Sequence, residues 1–230
     1  QAVVVGGGTM GSGIAYALAG RGIHVTVVET NMASRDRADR RIADHYAQSV
    51  QRGKITAANA EAERAERISI QIDYDRLPDA QIAIEAAFED MEVKRDILGK
   101  LDWALPPEAV LATNTSYLNI DHIAEAVADP SRVLGLHFFS PAHLMRLVEV
   151  IPAGTTTPNA IATALRLATR LGKIPVMSGI CDGFIGNRIL MRYRQVADTL
   201  LLDGALPWEV DAAMRGFGMA MGPYETQDMS

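Results

Sequence analysis

The chain has 230 residues, of which 48% are hydrophobic and 22% are charged, a balance that is ordinary for a globular protein. Its formal net charge of −6 argues against general nucleic-acid binding, and no apolar run approaches the roughly 20 residues of a membrane-spanning helix. Cys181 is the single cysteine, which excludes an internal disulfide framework and favours a reducing compartment.

A βαβ unit is predicted at the start of the chain. Residues 2–5 form a short apolar run that is typical of a buried strand. Residues 14–19 have helical character, and residues 23–28 predict a second strand. Strand, glycine-rich turn, helix and strand therefore follow one another within about thirty residues, the length of a βαβ unit.

The turn between the first strand and the helix has the spacing of a dinucleotide-binding turn. Gly6 permits a tight turn, Gly8 lets the backbone approach a pyrophosphate, and Gly11 lets the helix pack closely on the strand. Thr9 and Met10 lie between the last two glycines. We therefore expect these five residues to bind the phosphates of a dinucleotide at the positive end of the helix.

Glu29 ends the second strand, at the position where such folds carry an acidic residue for the ribose. Its carboxylate would accept hydrogen bonds from the adenosine ribose hydroxyls and would repel a 2′-phosphate, so the sequence favours NAD as the cofactor. Arg35 and Arg37 follow closely and could pair with a phosphate, which leaves NADP as the alternative. The other interpretation of these arginines is a solvated start of a helix.

The middle of the chain alternates strand and helix signals. Residues 33–66 predict two helices that break near Gly53, with Thr56 as the cap of the second. Strands are then predicted at 68–72, 82–86, 110–114, 133–139, 147–151 and 173–177, and helices at 90–103, 120–128 and 159–171. Beyond Ser178 only helical patterns remain, at 182–202 and 206–214.

These elements predict an α/β fold with a Rossmann-like, doubly wound and mostly parallel sheet, late antiparallel strands, and a partial all-helical domain. We expect the NAD-binding domain to span residues 1–179 and the helical domain residues 180–230. The helical part is too small to be stable alone. Its apolar side chains Phe217, Met219 and Met221 are therefore expected to pack on another chain or on further residues. Because the chain opens directly in a strand, we expect it to be a piece of a longer polypeptide.

His137 and Glu149 lie in apolar segments on either side of the turn-prone pair Ser140-Pro141. If these segments fold back on each other, the two side chains lie opposite each other on one face of the sheet. A carboxylate beside an imidazole fixes its tautomer and stabilises its charged form, which makes a general base. Taken singly, His137 would be a core histidine and Glu149 a solvated carboxylate at a strand end.

With these motifs in place, the whole chain resembles the L-3-hydroxyacyl-CoA dehydrogenases of fatty-acid β-oxidation, and most of all the dehydrogenase part of multifunctional β-oxidation enzymes. The motifs that carry the resemblance are the glycine turn, Glu85-Ala-Ala-Phe-Glu89 with Lys94, Asn114-Thr-Ser116, the stretch from His137 to Glu149, and Gly183-Phe-Ile-Gly-Asn187-Arg. The resemblance implies NAD-dependent oxidation of an L-3-hydroxyacyl-CoA to the 3-ketoacyl-CoA. It also implies that His137 is the base and Glu149 its partner.

The resemblance implies roles for further residues. Ser116 would contact the substrate oxygen or the nicotinamide side, and Asn187 would hydrogen-bond the reacting oxygen, so both join the catalytic set. The residues implied around the nicotinamide end of the cofactor site are Glu89, Lys94, Asn114 and Ser116. Ser140 is expected at the substrate, although many family members carry asparagine there. Because CoA carries phosphates, we expect Arg52 and Lys54, with Arg40 and Arg41 as further candidates, near its nucleotide end.

Two other functions stay open: a dehydrogenase of the same fold that acts on another 3-hydroxy acid or a sugar acid, and a non-catalytic nucleotide-binding protein.

No metal is predicted, because the remaining histidines have no metal-ligand pattern. The expected partners are an acyl-CoA substrate and either a second copy in a homodimer or a fused or associated enoyl-CoA hydratase domain. We expect a cytoplasmic location, with the peroxisome as the alternative.

Overall fold

The computed structural model describes residues 1–228, so residues 229 and 230 of the predicted helical domain lie outside the described part. The chain divides into two compact units, Gln1–Cys181 and a second unit that begins at Asp182. The first unit contains the sheet, and the described residues of the second unit form helices joined by short turns.

Eight strands of the described residues form one sheet in the first unit. They are β1 (Ala2–Val5), β2 (Val25–Val28), β3 (Ile68–Gln71), β4 (Ile82–Glu85), β5 (Val110–Thr113), β6 (Val133–Phe138), β7 (Leu147–Pro152) and β8 (Ile174–Met177). Their order is β3-β2-β1-β4-β5-β6-β7-β8, and every neighbouring pair is parallel except β6 and β7. The predicted doubly wound, mostly parallel sheet with a late antiparallel pair is confirmed.

Helices flank this sheet in the first unit, and the described residues of the second unit form helices and turns. Those of the first unit are α1 (Thr9–Ala19), α2 (Met32–Gln51), α3 (Ala57–Arg67), α4 (Met91–Ala104), α5 (Ile120–Ala124) and α6 (Pro158–Arg170). Those of the second unit are α7 (Gly186–Leu202), α8 (Pro207–Phe217) and α9 (Pro223–Asp228). The predicted cap at Thr56 is confirmed, because its hydroxyl accepts the backbone N–H of Asn59 at 3.2 Å.

The central strands are buried on both faces, which explains their continuous apolar sequences. Every residue of β1, β2, β4 and β5 is buried. Because these strands are parallel, their carboxyl ends lie at one edge of the sheet, where open α/β sheets bind ligands. The glycine turn after β1, Glu29 after β2 and Ser116 after β5 therefore belong to the same edge.

Helix α5 is shorter than the sequence predicts, because it ends at Ala124 rather than at residue 128. The backbone N–H groups of Ala126 and Val127 donate to the carbonyl oxygens three residues earlier, those of Ile123 and Ala124, as in a 3₁₀ turn. The N–H of Ala128 is taken by the carboxylate of Asp102 on α4, at 3.0 Å. A tertiary hydrogen bond thus replaces the last helical turn.

The second unit differs from the prediction at two places. Helix α7 begins at Gly186 rather than at residue 182, because Gly183 and Phe184 have positive φ angles of 68° and 48°, which a right-handed helix excludes. Helix α9 was not predicted. Its first N–H groups, those of Tyr224 and Glu225, donate to the carboxylate of Asp211 on α8 at 3.0 and 3.2 Å. The cap of α9 is therefore supplied from a distant part of the sequence.

The apolar side chains that the sequence singles out near the end of the chain are exposed in the structure. Phe217 is 82% exposed, and Met219 and Met221 are 45% and 37% exposed. Packing of these side chains on another chain or on further residues stays a prediction. None of the helices in the described part of the chain has the length and apolar character needed to cross a membrane.

Candidate active site

The glycine turn has the geometry that close approach of a ligand backbone requires. Gly6 has a φ of +90°, and a Cβ at this position would lie 2.9 Å from the carbonyl oxygen of Ala86. A Cβ on Gly11 would lie only 1.7 Å from the carbonyl oxygen of Gly6. Gly8 caps α1 without a side-chain hydrogen bond, and a Cβ there would have nothing within 4 Å. The space beside Gly8 and the first N–H groups of α1 therefore suit a pyrophosphate.

A cavity of about 800 Å³ opens beside this turn. Of the residues that the sequence predicts around the glycine turn, Gly6, Gly8, Thr9, Met10 and Glu29 line the cavity, and Gly11 does not. The size of the cavity and its combination of apolar walls with few polar groups fit a nucleotide. The wall that the sequence did not reveal comes from the residues after β3 and β4 and from α4, and includes Ile72, Tyr74, Phe88, Val93, Ile97 and Lys100.

Glu29 is held where the ribose hydroxyls of a dinucleotide are expected. Its Oε1 accepts the N–H of Gly7 at 2.6 Å and its Oε2 the N–H of Thr30 at 3.3 Å. Of the two arginines that the NADP alternative needs, Arg35 donates to the carbonyl of Ile70 and does not border the cavity. Arg37 borders the cavity and donates to the hydroxyl of Ser34 at 2.8 Å. The carboxylate at the ribose position supports NAD.

His137 and Glu149 are paired as their strands predict. The two residues are direct partners in the antiparallel register of β6 and β7, and Glu149 Oε2 lies 2.7 Å from His137 Nδ1. Both side chains are buried. The hydroxyl of Ser116, from the loop after β5, lies 3.3 Å from the other ring nitrogen, Nε2. The hydroxyl, the imidazole and the carboxylate are thus connected in series by polar contacts, an arrangement suited to moving a proton to and from Nε2.

The loop that carries Ser116 is fixed by Glu89. One oxygen of Glu89 accepts the hydroxyl of Thr115 at 2.5 Å and the backbone N–H groups of Ser116 and Tyr117 at 2.8 and 3.2 Å. Partial burial raises the pKa of Glu89, but these hydrogen bonds and the charge of Lys94 outweigh it and lower the pKa overall. Glu89 is therefore an anion that organises the loop beside His137.

Lys94 lies between two carboxylates, one of which was not part of the predicted site. Its Nζ is 2.9 Å from both oxygens of Glu85 and 3.2 Å from Glu89. Glu85, at the end of β4, is completely buried and also accepts the Thr113 hydroxyl at 2.6 Å and the Ala87 N–H at 2.7 Å. A charged residue ending an otherwise apolar strand was the signal that could have found it. Glu85, Glu89 and Lys94 do not border the cavity, and Glu89 contacts the backbone of Ser116 instead.

The remaining predicted residues are distributed over four places. Asn114 accepts the backbone N–H of Phe138 at 2.8 Å and so ties the end of β5 to β6. Ser140 is exposed in the turn between β6 and β7. Arg52 and Lys54 are exposed just after α2, and Asn187 lies in the first turn of α7, in the second unit. Their contacts with cofactor or substrate stay predictions.

The charges of Arg52 and Lys54 do reach the turn that carries Ser140. Burial, followed by the charges of His45, Lys173, Arg52 and Lys54, lowers the pKa of His143 to about 4. His143 lies three residues after Ser140 in that turn. The predicted substrate turn therefore lies within the electrostatic influence of these basic groups. Among the described residues, no group of three or more His, Cys, Asp or Glu side chains is arranged to hold a metal ion.

We expect Gly11→Ala and Gly8→Ala to separate folding from cofactor binding. The Gly11 substitution forces α1 away from the turn, because its Cβ would meet the Gly6 carbonyl at 1.7 Å. It should cost about 1–3 kcal/mol of unfolding free energy and most NADH affinity. Gly8→Ala should leave stability within about 0.5 kcal/mol but weaken NADH about tenfold, since only the pyrophosphate approaches it. Urea unfolding measures the stability of each variant, and NADH fluorescence titration measures its cofactor affinity. Normal NADH binding by Gly11→Ala would contradict the assignment of this turn to the cofactor.

Comparison with known proteins gives two family matches that together span nearly the whole chain. Residues 1–181 match the family model described as 3-hydroxyacyl-CoA dehydrogenase, NAD binding domain. Residues 183–230 match the model described as 3-hydroxyacyl-CoA dehydrogenase, C-terminal domain. The first unit of the structure and the first family model end at the same residue, Cys181.

Individual proteins give the same result. The peroxisomal bifunctional enzyme of Cavia porcellus is 38% identical over 227 residues, which are 99% of this chain but only 31% of that protein. The chain thus spans about a third of the length of such curated relatives. The crystal structure of M. tuberculosis FadB2 matches with a TM-score of 0.95 at 37% identity, covering 100% of this chain and 81% of that one. The crystal structure of (S)-3-hydroxybutyryl-CoA dehydrogenase PaaH1 of Ralstonia eutropha matches with a TM-score of 0.91 at 32% identity. The match covers 99% of this chain and 81% of that one.

Proposed function

The chain belongs to the 3-hydroxyacyl-CoA dehydrogenase family, and on this premise we propose that it oxidises an L-3-hydroxyacyl-CoA to the 3-ketoacyl-CoA with NAD, in fatty-acid β-oxidation. The observation that carries the proposal is the buried His137–Glu149 pair, with the Ser116 hydroxyl beside the second ring nitrogen. A protein that only bound nucleotides would not need this set. The name of the Ralstonia relative supports a hydroxyacyl-CoA over a free hydroxy acid or a sugar acid.

His137 is the general base of the proposed reaction. With its Nδ1–H donated to Glu149 at 2.7 Å, the ring carries its lone pair on Nε2. Nε2 takes the proton of the 3-hydroxyl group as the carbonyl forms. The negative charge of Glu149 stabilises the imidazolium that results, and its burial keeps water from competing for the hydrogen bond.

Ser116 and Asn187 complete the proposed site around the reacting oxygen. Ser116 already contacts His137 Nε2 at 3.3 Å, so a substrate hydroxyl bound there would meet both groups. We assign Asn187, on α7, to hydrogen-bond the same oxygen and support its developing charge. Ser140, Arg52 and Lys54 are assigned to the acyl-CoA. Bound NAD, held by the glycine turn and Glu29, would supply the acceptor for the hydride that leaves carbon 3.

An absorbance assay of the intact protein tests the proposal in the reverse direction, with acetoacetyl-CoA and NADH. We expect turnover with this pair, much slower turnover with NADPH, and none with free acetoacetate. Absence of turnover under conditions where NADH fluorescence shows binding would refute the activity. Turnover of free acetoacetate equal to that of the thioester would instead favour a dehydrogenase of another 3-hydroxy acid.

The proposal extends to partners and location. The relative from Cavia porcellus is named as bifunctional and is about three times the length of the matched segment. We propose that this chain likewise works beside an enoyl-CoA hydratase domain, fused or associated, or as a homodimer. The name of that relative also places it in the peroxisome. The single cysteine favours a reducing compartment, which supports the cytoplasm for this chain. The cytoplasmic location stays a prediction.

A further inference from the structure

A buried lysine that the proposed mechanism does not use lies behind the turn between β6 and β7. Lys173, just before β8, is only 8% exposed. Its Nζ donates to the carbonyl oxygens of Ala142 and Met145 at 2.5 and 2.6 Å. Within the described residues 1–228, no carboxylate lies within ion-pair distance of this ammonium group. The charge is thus held by the carbonyl groups of one turn.

This turn, residues 140–146, has few hydrogen bonds of its own. The carbonyl of Pro141 accepts the N–H groups of Leu144 and Met145 at 2.9 and 3.0 Å. The backbone N–H of Ile174 donates to the carbonyl of Arg146 at 2.7 Å and marks the start of the pairing between β7 and β8. The ring of His143 contacts those of Tyr16 and His45, and Lys173 supplies the side-chain hydrogen bonds to the carbonyl groups of the turn.

The position of the turn makes this tie relevant to the substrate. The turn joins the strand of His137 to the strand of Glu149 and begins with Ser140. It also packs against the cofactor helix, because a Cβ on Gly13 of α1 would lie 3.2 Å from the Cβ of Ala142. A shift of the turn would therefore move Ser140 relative to the catalytic pair.

A lysine is a costly way to fill this space. Burying an ammonium group without a carboxylate is unfavourable, and here burial and the charge of Arg21 lower the pKa of Lys173. Methionine would occupy a similar volume without that cost, but it would leave the buried carbonyl of Ala142 without a donor. The benefit of the lysine therefore lies in fixing the carbonyl groups of the turn.

We propose that Lys173 is a positioning residue for the acyl-CoA: it holds the turn 140–146 in the conformation that presents Ser140 to the substrate. The substrate named in this inference is the one of the proposed function, on which this part rests. The contact of Lys173 with the turn does not depend on that function. It assigns Lys173 no contact with the reacting atoms. Removing the side chain should therefore weaken substrate binding and leave proton transfer by His137 intact.

The test compares Lys173→Met with Lys173→Arg in the intact protein. Lys173→Met should raise KM for acetoacetyl-CoA about tenfold or more, the loss expected for hydrogen bonds from a charged group, with kcat nearly unchanged. Lys173→Arg keeps donors at the same place and should recover KM to within about threefold of the parent value. A fall in kcat at unchanged KM, or no effect on either, would overturn the proposal.

Arg132 provides the matched control. It is also a buried cation, which donates to the carbonyl groups of Pro106, Ala109 and Asp102 at 2.8, 3.0 and 3.2 Å and, unlike Lys173, pairs with a carboxylate, that of Asp102, at 2.5 Å. It precedes β6 at the end away from His137. Arg132→Met should lower stability without changing KM. An equal rise in KM in the two methionine variants would show that Lys173 acts only through general stability, and would overturn the proposal.

Hydrogen–deuterium exchange separates this inference from the proposed function, because it needs no turnover. Lys173→Met should speed exchange of the amides of Leu144 and Met145 about tenfold or more, with β6 and β7 unchanged. If the methionine variant does not fold, Lys173→Gln takes its place with the same readouts. Unchanged exchange in the turn would refute the positioning role even in an active enzyme, whereas faster exchange in an inactive protein would refute only the proposed function.

Discussion

Replacing His137 with glutamine is expected to lower kcat by about 10²–10⁴-fold, the usual worth of a positioned general base. The side chain is buried between Glu149 and Ser116, so no water can take over its place without rearrangement. NADH affinity should stay within about twofold, because His137 does not border the cofactor cavity. Steady-state kinetics with acetoacetyl-CoA and NADH titration measure the two effects. His122→Gln, on the exposed surface of α5, is the matched control and should behave as the parent.

The companion variant Glu149→Gln tests whether the two residues act as one unit. Glutamine keeps the shape and one acceptor of Glu149 but removes the charge that stabilises the imidazolium. We expect a smaller loss of kcat than for His137→Gln, and almost no further loss when both substitutions are combined, since residues of one catalytic unit are strongly non-additive. Full additivity of the two losses, or retention of more than about a tenth of kcat by His137→Gln, would contradict the assignment.

The parts of the fold that sequence could predict are those governed by local pattern. The apolar runs of β1, β2, β4 and β5 are continuous because these strands are buried on both faces. The pairing of His137 with Glu149 follows from two strands joined by a turn, since register fixes which side chains meet. Both are short-range consequences of strand geometry and turn residues, so one sequence sufficed.

The parts that sequence could not predict depend on partners far away in the chain. Helix α5 stops early because Asp102 takes the N–H of Ala128, and α9 forms because Asp211 caps it. The far wall of the cofactor cavity, including Tyr74, comes from loops that only the folded sheet brings together. The pairing of Glu85 with Lys94 is of the same kind: the apolar strand before Glu85 could indicate its burial, but nothing in the local sequence identifies the lysine nine residues later as its partner.

Lys94→Met is expected to produce the largest loss of stability, about 3–5 kcal/mol, because it leaves a buried carboxylate without its cation. Glu85 is completely buried and Lys94 is 1% exposed, so water cannot replace the lost ion pair. The free energy of unfolding in urea measures the effect. Lys100→Met is the matched control on the same helix: its pair with Asp96 is exposed, and losing it should cost no more than about 0.5 kcal/mol.

The double variant Lys94→Met/Glu85→Gln separates lost attraction from an uncompensated charge. If the penalty comes from the bare carboxylate, removing that charge should recover a large part of the stability, because replacing a whole buried ion pair is often nearly neutral. The glutamine oxygen can still accept the N–H of Ala87, and its NH2 group can donate to the hydroxyl of Thr113, which then acts as the acceptor. Catalysis should not recover, since Glu89 would still lack the charge of Lys94 that helps to keep it ionised beside Ser116. A double variant as unstable as Lys94→Met would instead mean that the packing of the lysine stem, and not its charge, holds this part of the site.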